Sequence, residues 1–341
     1  MRTLLVASEG GHLVELHLLA DHLSVAADRA WVTFDTPQSQ SLLADQEVYF
    51  APFVGTRDLV GTIRAARWTR GFLRGQQFDT VVSTGAGIAL AILPLAASAG
   101  ADCYYIESAA RTTGPSLTGR LLTPFRSIQL HTQHPRWAGQ RWTYRMSVFD
   151  GFWAVPVAHP LAPRRVVVSL GMHKGFSFRR LLDQLVQIIP SGTDVLWQVG
   201  DTDASGLDID ARVSVPTPEL SRAMAQSDVV ISHAGVGSAV SALAAGKRPI
   251  LVPRRKRFGE HVDDHQPGIA VELERRQLAF HVEADELQWS DVTRATAWRV
   301  KRGAASGSLR PDRAESGADG LPRRNSGING SSESHAGCGD L

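Results

Sequence analysis

Residues Val229–Val240 read VVISHAGVGSAV, and this stretch decides the fold. An apolar run stops at Ser232, and a histidine and two glycines then precede a segment with a helical pattern. A buried strand that is followed by a glycine turn and a helix is typical of a parallel α/β sheet. The turn from His233 to Ser238 is therefore predicted to lie at the carboxyl end of a strand, where open α/β sheets bind ligands.

The same pattern of strand, turn and helix repeats along both halves of the chain. Strands are predicted at 4–7, 30–34, 80–83 and 103–107, and again at 166–170, 194–199, 228–232 and 249–252. Helical patterns at 13–23, 88–99 and 178–189 alternate with them, and a proline-rich segment near 154–163 separates the two sets. We predict an α/β protein with two Rossmann-like domains, residues 1–155 and 160–300, that face each other across a cleft. Residues 303–341 are rich in Gly, Ser, Arg and Asp, which predicts a disordered tail.

The composition indicates a globular chain from a reducing compartment. Hydrophobic residues make up 43% and charged residues 21% of the 341 residues, and the net charge of +2 is too small to imply nucleic acid. Two cysteines leave no disulfide framework and no thiolate zinc site. The apolar start Leu4–Ala7 is too short for a signal peptide, and the longest apolar run, Ile88–Ala99, contains Pro94. We therefore expect a cytoplasmic protein that touches membranes, if at all, from one side.

The loop from His233 to Ser238 has the composition of a diphosphate site. Gly235 and Gly237 let the backbone approach a ligand closely, the following helix presents unpaired N–H groups, and Ser238 adds a hydroxyl. A tight turn that needs glycine only for its geometry is the alternative. Val240 stands where a dinucleotide-binding fingerprint needs glycine, and no GK[ST] sequence follows, so both of those motifs are excluded.

Gly10, Gly11 and His12 occupy the equivalent loop of the first domain. A histidine at the carboxyl end of a strand, in a cleft, is a candidate general base because its pKa lies near neutrality. The alternative is a histidine that caps the helix or belongs to the core.

Residues 253–266, PRRKRFGEHVDDHQ, follow a predicted strand and read as a loop. Carboxylates and amides there can bind sugar hydroxyls, and arginines can bind phosphate. A metal site of His261, Asp263 and His265 is a less favoured alternative, and a solvated charged loop is another.

Two basic segments also carry apolar and aromatic residues. Arginines from Arg57 to Arg74 share a helical stretch with Leu59, Ile63 and Phe72, and tryptophans and arginines alternate over 136–145. Both suit a surface that rests on anionic lipid headgroups, whereas a solvated helix face is the alternative for the first.

Taken together, these segments resemble one family. SHAGVGSAVSALAAGKRPILVPRRKRFGEHVDDHQ, residues 232–266, resembles the donor-binding half of GT-B glycosyltransferases of the family 28 or MurG-like type. VVVSLGMHKGFSFRRLL (166–182) is similar to the start of a PssE-like exopolysaccharide glycosyltransferase subunit. ASEGGHLVEL (7–16), STGAGIALAILPLAASAGADCYYIESAAR (83–111) and SLTGRLL (116–122) are similar to the PssD-like subunit. Over residues 2–290 the chain resembles the two subunits fused, with the PssD-like part first and the PssE-like part second.

The resemblance implies an inverting, metal-independent glycosyltransferase without a cofactor. It would move a sugar from a UDP-sugar to a polyprenyl-diphosphate-linked saccharide in exopolysaccharide or cell-envelope glycan assembly, on the inner face of the cell membrane and without nucleic acid. His12 would be the base. The implied donor-binding residues are Gly171, His233, Gly235, Gly237, Ser238, Arg254, Glu260, Asp264, His265 and Gln266. The implied acceptor-side residues are Gly10, Gly11, Glu15, Thr84, Gly85, Glu107 and Ser108.

One departure concerns the donor. Relatives that use UDP-GlcNAc carry a glutamate five residues before the glycine that ends the helix, and counting back from Gly246 gives Ser241 here.

Two other functions fit the same fold. A UDP-sugar 2-epimerase would leave the Gly-Gly-His and ESAAR segments unexplained, and a non-catalytic donor-binding or scaffold subunit would leave His12 unexplained.

Overall fold

Two parallel sheets and one antiparallel strand pair form the framework of the protein. The computed structural model describes residues 1–23, 28–55, 57–171 and 175–303. The two sheets confirm the prediction of two Rossmann-like α/β domains. Apart from Gly303, the predicted tail at 303–341 lies outside the described residues, as do residues 172–174 of the loop after the strand at 165–169.

The first sheet has seven strands in the order β3-β2-β1-β4-β5-β6-β7, all parallel. These strands are β1 Thr3–Ala7, β2 Arg29–Thr33, β3 Glu47–Phe50, β4 Thr80–Gly85, β5 Asp102–Ile106, β6 Ile128–Thr132 and β7 Trp142–Tyr144. The helices between them are α1 Gly11–His22, α2 Pro37–Leu42, α3 Leu59–Gly75, α4 Gly87–Ser98 and α5 Leu117–Leu122. The order reverses between β1 and β4, which is where open α/β sheets form their binding crevice.

The second sheet has six strands in the order β11-β10-β9-β12-β13-β14 and is also parallel. Its strands are β9 Arg165–Ser169, β10 Asp194–Gln198, β11 Ala211–Arg212, β12 Val229–His233, β13 Ile250–Val252 and β14 Phe280–His281. Its helices are α6 Arg179–Ile188, α7 Thr217–Gln226, α8 Val236–Ala244, α9 His265–Arg275 and α10 Trp289–Ala295. The segment at 253–266, predicted as a loop, ends in the first turn of α9, so His265 and Gln266 are helical.

A strand pair links the ends of the two domains. β8, Phe152–Pro156, precedes the second sheet, and β15, Trp298–Arg302, follows it; the two pair antiparallel. The Val300 amide also donates to the carbonyl of Gly246 at the end of α8. β15 is therefore hydrogen-bonded both to β8, in the linker between the domains, and to Gly246, which follows α8.

The two faces of the first sheet carry different helices. Leu5 and Ala7 of β1 pack on α1, whereas Leu4 and Val6 pack with α4 on the opposite face. Every residue of β1 and β4 is buried, because helices cover both faces of the sheet. This arrangement places the start of α1 at the carboxyl end of β1, directed toward the second domain.

Helices α1 and α8 form the contact between the two domains. Their buried residues, among them Leu16 and Val240, belong to one continuous hydrophobic cluster. The two helices begin almost against each other, because a Cβ on Gly237 would lie only 3.0 Å from the Cα of Gly11. The N-termini of one helix from each domain therefore converge at the same point.

The two tryptophans of the 136–145 segment differ in burial. Trp142 in β7 is 8% exposed and belongs to the core, so it is not available to a membrane surface. Trp137 precedes β7 and is half-buried, with its ring centroid 5.3 Å from that of Trp142. The Trp137 indole N–H donates to the carbonyl oxygen of Arg111 at 2.9 Å. Among the described residues no helix is long and apolar enough to cross a bilayer.

Candidate active site

His12 lies in the first turn of α1, at the carboxyl end of β1. Its Nδ1 lies 2.8 Å from the carbonyl oxygen of Thr84, and the Thr84 hydroxyl donates to the His12 carbonyl at 2.9 Å. Because a carbonyl oxygen can only accept, Nδ1 carries the proton and Nε2 keeps its lone pair. Burial lowers the pKa of His12 to about 4, so the imidazole is neutral at pH 7 and can act as a base.

Gly85 makes room for the His12 ring. A Cβ at this position would lie 3.3 Å from both His12 Cε1 and the Tyr105 hydroxyl, and the backbone φ of +108° favours glycine. Thr84 and Gly85, both predicted on the acceptor side, thus support the histidine from β4. The other loop glycine, Gly10, has a φ of +77° and its amide donates to Oε1 of Gln38 at 2.7 Å.

The glycines of the second-domain loops enclose His233. A Cβ on Gly171 would lie 2.5 Å from His233 Cε1, and a Cβ on Gly235 would lie 2.3 Å from its Nε2. Burial, with a contribution from the charge of Arg254, lowers the pKa of His233 to about 3. Both glycines therefore accommodate a neutral, packed imidazole. The loop follows β12, as predicted, and the His233 ring packs against the glycines of the two loops.

Helix α8 begins directly above this histidine. Gly235 is its N-cap residue, without a side-chain cap, and Val236, Gly237 and Ser238 form the first turn. The amide groups of a first helical turn have no partner within the helix, and the helix dipole places partial positive charge there. The Ser238 hydroxyl lies 3.5 Å from His233 Nδ1. The start of α8 can therefore bind an anion, as the sequence predicted.

Arg254 and Glu260 do not face a ligand, and the structure corrects this prediction. Arg254 is 1% exposed, and its guanidinium donates to the carbonyls of Leu170, Phe176 and Glu260. Glu260 is 4% exposed and accepts two hydrogen bonds from the guanidinium of Arg180, at 3.0 and 3.2 Å. Both side chains hold loops of the second domain in place, because a buried charge is stabilised by ion pairs and hydrogen bonds.

The DDHQ segment has two kinds of residue. Gln266 is buried, and its Oε1 accepts from the amide of Arg254 at 3.0 Å. Asp264 is exposed, and its Oδ1 accepts from the amide of Lys256 at 2.9 Å. His265 is half-buried and hydrogen-bonds through Nδ1 to Oδ1 of Asp263. Burial is the main cause that lowers the pKa of His12, and the charges of Arg111 and His265 lower this pKa further.

One group of side chains at the site can hold a cation. The ligand atoms of His261, Asp263 and His265 lie within 4.8 Å of one another. His261 Nδ1 is 3.3 Å from Oδ1 of Asp263, and the rings of His261 and His265 meet edge to face at 4.7 Å. The three residues that the less favoured metal interpretation named are thus brought together.

Glu15 and Glu107 are buried inside the first domain, which corrects their predicted contact with an acceptor. Glu15 is fully buried; its Oε1 accepts from the amide of Ala109 at 2.7 Å and from the side-chain amide of Gln133. Glu107, 1% exposed, accepts from the amide of Ser116 at 2.8 Å and from the Ser116 hydroxyl at 3.0 Å. Burial raises the pKa of both carboxyls, that of Glu15 to about 7. They hold the ESAAR loop in place.

Ser108 and Gln133 complete this loop. Ser108 is 7% exposed, and its hydroxyl accepts from the amide of Ala110 at 3.2 Å, so it too supports the loop. Gln133, which was not predicted as a functional residue, is fully buried; it donates to Glu15 and to the carbonyl of Glu107 and accepts from the amide of Val148. A polar run directly after β6 was the available signal.

Comparison with known proteins finds similarity to glycosyltransferases in the second domain. Residues 179–296 match the glycosyltransferase family 28 C-terminal domain. The UDP-N-acetylglucosamine transferase subunit ALG13 of Yarrowia lipolytica is 43% identical over 61 residues, which cover 18% of this chain and 29% of that protein. The chain thus matches under a third of the length of this curated relative.

Solved structures share the whole two-domain architecture. MurG from Acinetobacter baumannii superposes with a TM-score of 0.55 at 16% identity, over 86% of this chain and 89% of that chain. The spinosyn forosaminyltransferase SpnP gives a TM-score of 0.55 at 17% identity, over 87% and 89%. The spinosyn rhamnosyltransferase SpnG, complexed with thymidine diphosphate, gives 0.52 at 15% identity, over 87% and 90%.

The two α/β domains share the fold of these GT-B glycosyltransferases. Residues 179–296, in the second domain, are similar to the glycosyltransferase family 28 C-terminal domain.

Glu15 gives a test of the buried carboxyl network. Its folded pKa of about 7 lies above its ordinary value of 4.5, so the folded state binds the proton more tightly than the unfolded state. Its contribution to the free energy of unfolding is therefore largest below pH 4.5 and falls as the pH rises to about 7, by on the order of 3 kcal/mol. In Glu15→Gln this fall is absent, as measured by urea unfolding from pH 4 to pH 8.

Glu9→Gln is the matched control, because it removes an exposed carboxylate beside the same helix. Identical pH profiles for the wild type and Glu15→Gln would contradict the buried-carboxyl assignment.

Proposed function

We propose that the protein is an inverting, metal-independent glycosyltransferase that moves a sugar from a UDP-sugar to a polyprenyl-diphosphate-linked saccharide. One observation carries the proposal: His12, a neutral base at the start of α1, lies where the anion-binding start of α8 meets it across the domain interface. A base for a hydroxyl and a site for a leaving diphosphate are the two groups that sugar transfer needs.

The donor half of the proposal rests on α8. Its first-turn amides and Ser238 are suited to the diphosphate of a nucleotide sugar. A protein with the same fold, SpnG, was solved with thymidine diphosphate, and the ALG13 relative is named for a UDP-sugar. UDP is our proposal for the nucleotide of this chain. We assign Asp264, His265 and Gln266, at the start of α9, to the sugar of the donor.

The reaction follows from the tautomer of His12. Nε2 takes the proton of the acceptor hydroxyl while that oxygen forms a bond to the anomeric carbon of the donor. The bond between the anomeric carbon and the diphosphate oxygen breaks on the opposite side, so the configuration inverts and UDP leaves. The amides and the dipole of α8 stabilise the charge that develops on the leaving diphosphate, which a metal would otherwise do. The Thr84 carbonyl accepts from Nδ1–H and stabilises the imidazolium that forms.

The acceptor half of the proposal rests on an exposed apolar surface of the first domain. We call the exposed side chains of Leu59, Val60 and Ile63 on α3, with Leu117 and Leu121 on α5, the apolar surface. Their exposed fractions are 49–72%, and α3, α4 and α5 lie on one face of the sheet. Exposed apolar side chains beside arginines such as Arg64 and Arg120 suit an anionic bilayer surface. We infer a peripheral enzyme on the inner face of the cell membrane, in exopolysaccharide or cell-envelope glycan assembly.

The position of α5 connects this surface to the candidate base. Ser116, the N-cap of α5, lies 3.4 Å from the Tyr105 hydroxyl, which itself borders the space at Gly85 beside His12. The helix that carries Leu117 and Leu121 therefore packs, through its N-cap, on the residues that surround His12. This contact supports our proposal of a lipid carrier over a soluble acceptor.

Replacement of His12 tests the transferase directly. Radiolabelled UDP-sugars are offered one at a time to the wild type and to His12→Ala in the presence of membranes, and label in the lipid-extractable fraction is counted. The wild type is expected to transfer label from one donor. His12→Ala should lose about 10²- to 10⁴-fold in kcat, as expected for removal of a general base. UDP binding should persist, because α8 is unchanged.

The outcomes of this assay separate the competing functions. An epimerase would convert the donor without releasing UDP, and a scaffold would bind UDP without consuming the donor. Either result from a folded wild-type protein would contradict the proposed transferase.

The apolar surface predicts lipid binding that depends on particular side chains. Leu59→Ser combined with Ile63→Ser should reduce association with vesicles of phosphatidylglycerol and phosphatidylcholine at least about tenfold, because two buried apolar contacts are lost. Co-sedimentation measures the effect. Val271→Ser on α9, a second-domain residue that is 52% exposed, is the matched control and should bind as the wild type does. Equal loss in the control variant would show that exposed apolar area in general, not this surface, drives binding.

A further inference from the structure

We propose that Asp263 is a positioning residue that orients His265 toward the donor sugar, and that Arg111 of the first domain holds Asp263 across the domain interface. The proposal deepens the proposed function and rests on it, because it assigns the group that recognises the sugar part of the UDP-sugar. It makes that recognition depend on a side chain from the acceptor domain.

The two oxygens of Asp263 have different partners. Oδ1 accepts a hydrogen bond from Nδ1 of His265, whereas Oδ2 forms an ion pair with Nη1 of Arg111 at 3.4 Å. Asp263 and Arg111 are a little over one-third exposed, so the ion pair by itself contributes little to stability. Its value lies in geometry, because it fixes the rotation of the carboxylate that His265 bonds.

The bond to Asp263 fixes the state of His265. A carboxylate accepts only, so Nδ1 of His265 carries the proton and Nε2 points away from Asp263 as the second polar atom of the ring. His265 is thereby kept in one tautomer and one ring orientation at the start of α9.

The loop that carries Arg111 is held rigidly. The carbonyl of Ala109 bonds Nε2 of His134 at 2.7 Å, and its amide donates to the buried Glu15. The Arg111 carbonyl accepts from the Trp137 indole. Buried groups thus fix the backbone on both sides of Arg111, so the guanidinium projects from a well-defined position.

A second contact ties the same loop to the same helix. A Cβ on Gly268 of α9 would lie 2.5 Å from the Thr112 hydroxyl oxygen, so the backbone of α9 lies against the residue that follows Arg111. Gly268 and His265 are one turn apart on α9. The loop at 107–112 therefore contacts the start of α9 at two points, one through backbone packing and one through charge.

The surroundings of Asp263 favour this role over metal binding. The Arg111 guanidinium already pairs with Oδ2 of Asp263, and Nδ1 of His265 already bonds Oδ1. A divalent cation would have to replace the hydrogen bond from His265 and bind beside the Arg111 charge with a single carboxylate. The hydrogen bond and the ion pair satisfy the same carboxylate without that electrostatic cost.

Isothermal titration of UDP and of the UDP-sugar that the wild type selects tests the proposal without an acceptor. The quantity of interest is the ratio of the two affinities, which isolates the sugar. Asp263→Ala and Arg111→Ala should each reduce this ratio, Asp263→Ala by about tenfold, as for loss of an oriented hydrogen bond. UDP affinity itself should be unchanged. Arg111→Lys should recover part of the loss, and the double variant should lose no more than Asp263→Ala alone. Arg136→Ala removes an exposed arginine of the same domain and is the control.

An unchanged ratio in Asp263→Ala, or equal loss of UDP and UDP-sugar affinity, would overturn the proposal while leaving the transferase intact. A wild type that binds neither ligand would instead overturn the proposed function. The structural part is tested separately by the ¹⁵N chemical shifts of the His265 ring in the ligand-free protein. They should report Nδ1–H in the wild type and a mixed tautomer in Asp263→Ala. An Nε2–H tautomer in the wild type would overturn the proposal.

Discussion

The approach of Gly11 to Gly237 is the constraint on which the rest of the site depends. With hydrogen as the side chain at both positions, the first turns of α1 and α8 can meet nearly backbone to backbone. Each helix begins at the carboxyl end of a strand near the reversal point of its own sheet, so each domain alone offers only half of a site. Their contact places a neutral imidazole beside an anion-binding helix end. A larger side chain at either glycine would move His12 away from the start of α8.

Charged residues around this point divide by burial into two tasks. The first group is almost completely buried: Glu15, Glu107, Arg254 and Glu260. Their side chains hydrogen-bond to backbone amides, to a backbone carbonyl or to the guanidinium of Arg180. They keep loops in one conformation, which matters because a loop that carries reactive groups must be ordered before substrate arrives. The groups that we propose to meet substrate are fewer and lie at helix starts: His12, the α8 amides, Asp264 and His265. The network of buried charges is therefore the support, and the helix termini are the reactive surface.

The sequence predicted the fold because its signals are local. An apolar run, a glycine turn and a helix repeat at the positions of β1, β4, β9 and β12, and the structure places Gly10–His12 and His233–Ser238 where the pattern required. The roles of charged residues were less predictable. Arg254 and Glu260 read as ligand groups because their sequence neighbours are polar, but their partners Leu170 and Arg180 are distant in sequence. Trp142 looks interfacial in a basic segment, and only the pairing of β7 with the sheet buries it. Tertiary partners, not local pattern, decide such cases.

The configuration of the transferred sugar tests the central claim most directly, because the proposed mechanism is a single displacement with His12 and α8 on opposite sides of the anomeric carbon. The anomeric ¹H coupling constant of the product, formed from a UDP-α-sugar by the wild type, reports this configuration. The account predicts a β-linked product, formed with inversion. An α-linked product would require a double displacement or a different attacking geometry, and would contradict the role assigned to His12.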